Sequence, residues 1–144
     1  MTFQSILLAY DGSDTSRKAA VAASELADRF HSKVEAIHVM QPPAPTAMLE
    51  LTIPTTLDVQ EQWKDQARRL LDEAQHLLGK SNDPLTTLLE GSPGPSIVEY
   101  AARINSEMII VGHRGLNRLE EILIGSVSLY VIRHAHCPVM TIKD

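Results

Sequence analysis

The chain has 144 residues, 44% of them hydrophobic, with 13 basic and 18 acidic side chains for a formal charge of −5. That length suits one domain, 1–144, able to bury about two thirds of its extended-chain surface without staples. The acidic balance excludes broad electrostatic affinity for nucleic acid or anionic lipid, and the single cysteine, Cys137, excludes an internal disulfide and fits a reducing compartment.

Ser5 to Asp11 reads as a buried strand whose apolar run, Ile6 to Tyr10, is too short to cross a bilayer. With no charged n-region before a long apolar core, a cytoplasmic protein without membrane insertion is expected. Gly12-Ser13-Asp14 supplies a turn, a candidate N-cap and an acidic first turn. Ala19, Ala20, Ala23, Leu26, Ala27 and Phe30 then recur at three- and four-residue steps, an apolar stripe whose alanines permit close docking. Lys33 to Val39 is a second strand, stopped by Gln41-Pro42-Pro43-Ala44-Pro45. The loop that runs on to about Thr56 is long enough to be either a ligand cover or disordered.

From Asp58, which pairs with Glu61 as a capping box, Val59, Trp63, Ala67, Leu70, Leu71, Ala74, Leu77 and Leu78 share one helical face that Gly79 closes. Pro84 to Glu90 is a third strand. Pro95 at a first helical position opens a helix to about Ile104, with Ile97, Val98, Ala101 and Ala102 inward and Asn105 at its close. Met108 to Val111 is a fourth strand, a helix starts at Ser126, and Pro138 to Ile142 is a fifth strand in which Cys137 and Pro138 lead from a small buried thiol to a sheet edge. This alternation calls for a doubly wound parallel sheet with helices on both faces and right-handed crossovers. Such sheets bind ligands beyond the carboxyl ends of their strands, where Asp11 and Gly112 stand.

The fourth strand empties into Gly112-His113-Arg114-Gly115, followed nine residues later by Gly125-Ser126. Glycine carries no side chain to fend off a ligand, so backbone amides around Gly112 to Gly115 can turn toward an anion. The first amides of the helix at Ser126 lack internal partners and favour negative charge. The P-loop lysine and the G-x-G-x-x-G fingerprint are both absent. The alternative is a plain turn at Gly112 and Gly115 with a tight helix approach at Gly125.

Ile6-Leu7-Leu8-Ala9-Tyr10-Asp11-Gly12-Ser13, Ile37-His38-Val39, Gly91-x-Pro93 with Ile97, Cys137-Pro138-Val139 and, above all, G-x2-G-x9-G-S from Gly112 to Ser126 resemble the universal stress protein family. The likeness runs from Ser5 to Lys143, and the glycine spacing marks the ATP-binding branch. The resemblance implies a Rossmann-like sheet of the adenine nucleotide alpha hydrolase type, in the order 3-2-1-4-5. It further implies that Ala9, Asp11 and Val39 line the adenine and ribose side, that Val111 and Gly112 border the ribose, and that Gly115, Gly125, Ser126 and Val127 hold the phosphates of ATP, bridged by Mg²⁺. Arg114 is either a phosphate ligand or a solvated side chain. His38 reads as a hydrogen-bonded structural histidine, and His134 and His136 as cations near a helix end. No metal site made of side chains is expected.

The function expected is that of an ATP-binding, nucleotide-responsive regulatory or stress-response homodimer, its apolar fifth strand paired with a symmetry mate. No attacking group for phosphoryl transfer is evident. A slow ATP hydrolase, a nucleotide-independent interaction or chaperone-like protein, and binding of AMP or a cyclic nucleotide are the alternatives.

Overall fold

The short apolar runs Ile6-Leu7-Leu8 and Met108-Ile109-Ile110-Val111 become buried strands at the centre of one parallel sheet, and the amphipathic segments along the chain become its covering helices. The computed structural model describes residues 2–41, 57–80, 83–113 and 125–144. In chain order the elements are β1 (Ser5–Ala9), α1 (Asp14–Phe30), β2 (Lys33–Met40), α2 (Leu57–Leu78), β3 (Leu85–Glu90), α3 (Pro93–Arg103), β4 (Met108–Gly112), α4 (Ser126–His134) and β5 (Val139–Ile142). The sheet order is β3-β2-β1-β4-β5, as the resemblance implies, and every pairing is parallel. The winding reverses at β1, whose neighbours are β2 on one side and β4 on the other.

Alternate residues of the central strands feed two apolar layers, as the period-two pleat requires. Ile6, Leu8, Val34, Ala36 and Ile110 pack with the alanines of α1 and with Ala74 and Leu78 of α2. Leu7, Ile37, Ile109 and Val111 pack with Ile97, Tyr100 and Ala101 of α3 and Val131 of α4. Two helices thus cover each face.

The helix ends have local causes. Ser13 caps α1, its Oγ accepting from the Ser16 N–H at 3.2 Å. Asn105, at φ 53°, closes α3: its N–H bonds the Ala102 carbonyl at 3.2 Å and the Ser106 N–H bonds that of Ala101 at 2.9 Å, a Schellman arrangement.

Several boundaries differ from the expectation. β1 ends at Ala9, leaving Asp11 just beyond the strand. α2 starts at Leu57, so Asp58 lies inside the first turn, where its charge favours the helix dipole, rather than ahead of it as a cap. α3 begins at Pro93, two residues before Pro95, because Pro93 also suits a first helical position. Tyr100, not Ala102, completes the inward face of α3; Ala102 is exposed. Phe30 is 47% exposed and makes an edge contact with the Phe3 ring. Cys137 is half-buried rather than buried, and that burial still pushes its thiol pKa up. The loop 42–56, Arg114 and Gly115 lie outside the described residues.

Candidate functional site

β1, β2 and β4 end side by side, and a cavity of about 310 Å³ opens beyond their carboxyl ends. This is the reversal point of the sheet, and the volume lies at the lower end of the ~300–1,000 Å³ of small-molecule sites. Ala9 and Asp11 line it from the β1 side, Val39 from β2, Val111 and Gly112 from β4, and Gly125, Ser126 and Val127 from the start of α4. Each described residue singled out from the sequence as a candidate therefore faces one space.

The parts are held there by specific bonds. Asp11 Oδ1 accepts from the Ser13 N–H at 2.9 Å, an Asx turn that orients the carboxylate as the chain enters α1. The Tyr10 N–H donates to the Ile37 carbonyl at 2.8 Å, extending the β1–β2 pairing one residue. His38 Nδ1 lies 2.8 Å from the Tyr10 carbonyl. A carbonyl only accepts, so in the neutral ring Nδ1 bears the proton and Nε2 is left as an acceptor. His38 is thus the structural histidine expected, and it also lines the cavity.

Gly112 is required by packing. A Cβ there would stand 2.6 Å from the Ser16 backbone nitrogen and 2.7 Å from the Thr15 carbonyl carbon, so β4 and the first turn of α1 approach backbone to backbone. Ser128, 3% exposed, donates from Oγ to the Gly112 carbonyl at 3.1 Å and ties the first turn of α4 to the end of β4. Sequence reasoning does not single out Ser128, nor Ser16, Gln41, Pro93 and Ile97 as parts of the site, yet all of them line the cavity. For Ser128 a signal is present: a hydroxyl two residues past Ser126, on a helix face otherwise apolar.

The lining suits an adenine nucleotide chemically. Ala9, Ile37, Val39, Ile97 and Val111 offer apolar walls for a base, Asp11 offers a carboxylate for hydroxyl or amino donors, and the start of α4 offers first-turn amides, which a helix leaves without an internal acceptor, for an anion. Among the described residues no group of three or more His, Cys, Asp or Glu gathers for a metal ion. No helix among the described residues is long and apolar enough to cross a membrane.

The model of the universal stress protein family matches residues 2–143. The chain belongs to that family. Stress response protein NhaX of Bacillus subtilis is 31% identical across 96% of both chains, and universal stress protein MJ0531 of Methanocaldococcus jannaschii is 33% identical across 98% of this chain and 82% of its own. Among solved structures, universal stress protein UspA from Lactobacillus plantarum superposes with a TM-score of 0.78 at 23% identity, covering 97% of each chain. The universal stress protein from Archaeoglobus fulgidus in complex with dAMP gives a TM-score of 0.73 at 25% identity, over 99% of this chain and 100% of that one. A universal stress protein in complex with cAMP gives 0.75 at 22% identity, over 99% and 98%.

Proposed function

We propose that this universal stress protein binds an adenine nucleotide, ATP with Mg²⁺ foremost, in the cavity beyond β1, β2 and β4. The observation that carries the reading is the gathering of Asp11, Val39, Gly112 and Gly125-Ser126 around one space at the reversal point of the sheet. A relative at 25% identity, with the same fold, is known in complex with dAMP.

In this reading the base lies against Val39 and Val111, and the Asp11 carboxylate accepts from the nucleoside. The amides of Gly125, Ser126 and Val127, with the Ser126 hydroxyl, receive the phosphates. Arg114 and Gly115 would complete the phosphate end. Mg²⁺, when bound with ATP, would supply charge neutralisation for the phosphates.

The proposed role is binding rather than turnover, with occupancy regulating a stress response in a cytoplasmic homodimer paired through β5. A mass of two chains by light scattering at micromolar concentration supports the dimer, and a mass of one chain refutes it. Sustained phosphate release from Mg-ATP, lost in Gly115→Ala, would replace the binding reading with a hydrolase. The direct test of the site is calorimetric titration with Mg-ATP, dAMP and cAMP. Heat that saturates with at least one of them supports the reading.

A further inference from the structure

Tyr10, the residue before Asp11, is 2% exposed, and its hydroxyl donates to Glu73 Oε1 at 2.6 Å. Arg17, near the start of α1, donates from Nε to that same oxygen at 2.5 Å and from Nη1 to Asp14 Oδ1 at 3.0 Å. A single carboxylate oxygen of α2 therefore grips the chain on both sides of the β1–α1 turn.

Leu70, three residues before Glu73 and so on the same face of α2, presses on the middle of that turn. A Cβ at Gly12 would fall 2.6 Å from Leu70 Cδ2, and Gly12 has φ +81°, a conformation that side chains rarely adopt. So α2 meets the turn before, within and after the stretch that carries Asp11. The strand side of the turn is secured separately, by the Tyr10 N–H on the Ile37 carbonyl and by His38 on the Tyr10 carbonyl. Arg17 and Glu73 secure its helix side.

We propose that Glu73 is a positioning residue for the nucleotide site: from α2 it holds Tyr10 and Arg17, and so fixes where the Asp11 carboxylate stands. The inference rests on the adenine-nucleotide reading of the cavity. Because coupling is reciprocal, a ligand that needs Asp11 in this place strengthens the hold of α2 on the turn.

The test is calorimetric titration of the full chain with Mg-ATP and with dAMP, comparing wild type with Glu73→Ala, Glu73→Gln, Tyr10→Phe and Leu78→Ala. Gln keeps an oxygen that both donors can reach. Leu78→Ala removes a buried side chain of the same helix away from the turn, and controls for lost stability alone. Glu73→Ala is expected to weaken binding about tenfold and Tyr10→Phe about threefold. Glu73→Gln is expected to restore most of the affinity, and Leu78→Ala to lower Tm while leaving affinity within about twofold of wild type.

Wild-type affinity in Glu73→Ala overturns the proposal, as does an equal weakening by Leu78→Ala. Should Glu73→Ala not fold, Tyr10→Phe decides in the same way. A wild-type protein that binds neither nucleotide overturns the nucleotide reading itself, and that result is seen before any variant is compared.

Discussion

The Ser128 hydroxyl donates to the Gly112 carbonyl at 3.1 Å, so a side chain ties the two halves of the glycine motif. Ser128→Ala removes a nearly buried hydrogen bond and is expected to cost about 1 kcal/mol of stability by urea denaturation. It also frees the start of α4 from β4, so nucleotide affinity is expected to fall a fewfold, in excess of any effect from Ser126→Ala at the exposed end of the same turn.

Gly112→Ala tests the packing role of that residue. The added methyl meets Ser16 and Thr15 backbone atoms at 2.6 and 2.7 Å, and backbone cannot rotate aside as a flexible side chain can. The expected loss is about 1–3 kcal/mol, the usual range for overpacking, measured without any ligand. Unchanged stability would show that α1 can withdraw from β4 at no cost.

The Glu73 carboxyl is held below its ordinary pKa, first by the Tyr10 hydrogen bond and then by Arg17. A depressed carboxyl contributes stability above its unfolded pKa and loses it as pH falls through the folded value. Urea midpoints taken downward from pH ~6 should therefore decline through the carboxylate range, and Glu73→Gln should flatten part of that decline. Asp14, bonded to Arg17 at 3.0 Å, shares the same cation and remains in both proteins.

At the alkaline end the sign reverses. Tyr10 is pushed above its ordinary pKa of 10.0 by burial, then by the hydrogen bond and charge of Glu73; Tyr100 is pushed the same way by burial and by its bond to Glu35. A raised phenol contributes stability below the unfolded value and loses it as pH climbs toward the folded one. Stability should fall above pH ~10, and less steeply in Tyr10→Phe and Tyr100→Phe.

The alternation of strands and helices was legible because buried runs and amphipathic stripes have different periods. The order of the strands was not, since nothing in Val34 or Ile110 states which neighbour it pairs with; that came from the family motifs. Ala102 and Phe30 depart from expectation because a helical stripe gives a face but not the width of the sheet beneath it. Gly112 reads in the sequence as a close approach to ligand, whereas the atoms nearest its missing side chain belong to α1, a contact across the sheet that local spacing does not encode. Ser128, Tyr10 and Glu73 act through bonds between elements distant in sequence; the hydroxyl of Ser128 on an apolar helix face is a local sign, but the Tyr10–Glu73 pair leaves none.

The most direct test of the account is calorimetric titration of the purified protein with Mg-ATP and with dAMP, alongside Asp11→Ala. The wild type is expected to bind with saturable heat, and Asp11→Ala about tenfold to a hundredfold more weakly, as loss of a charged hydrogen-bond acceptor implies. Absence of heat with both of these nucleotides and with cAMP, or equal affinity in Asp11→Ala, would contradict it.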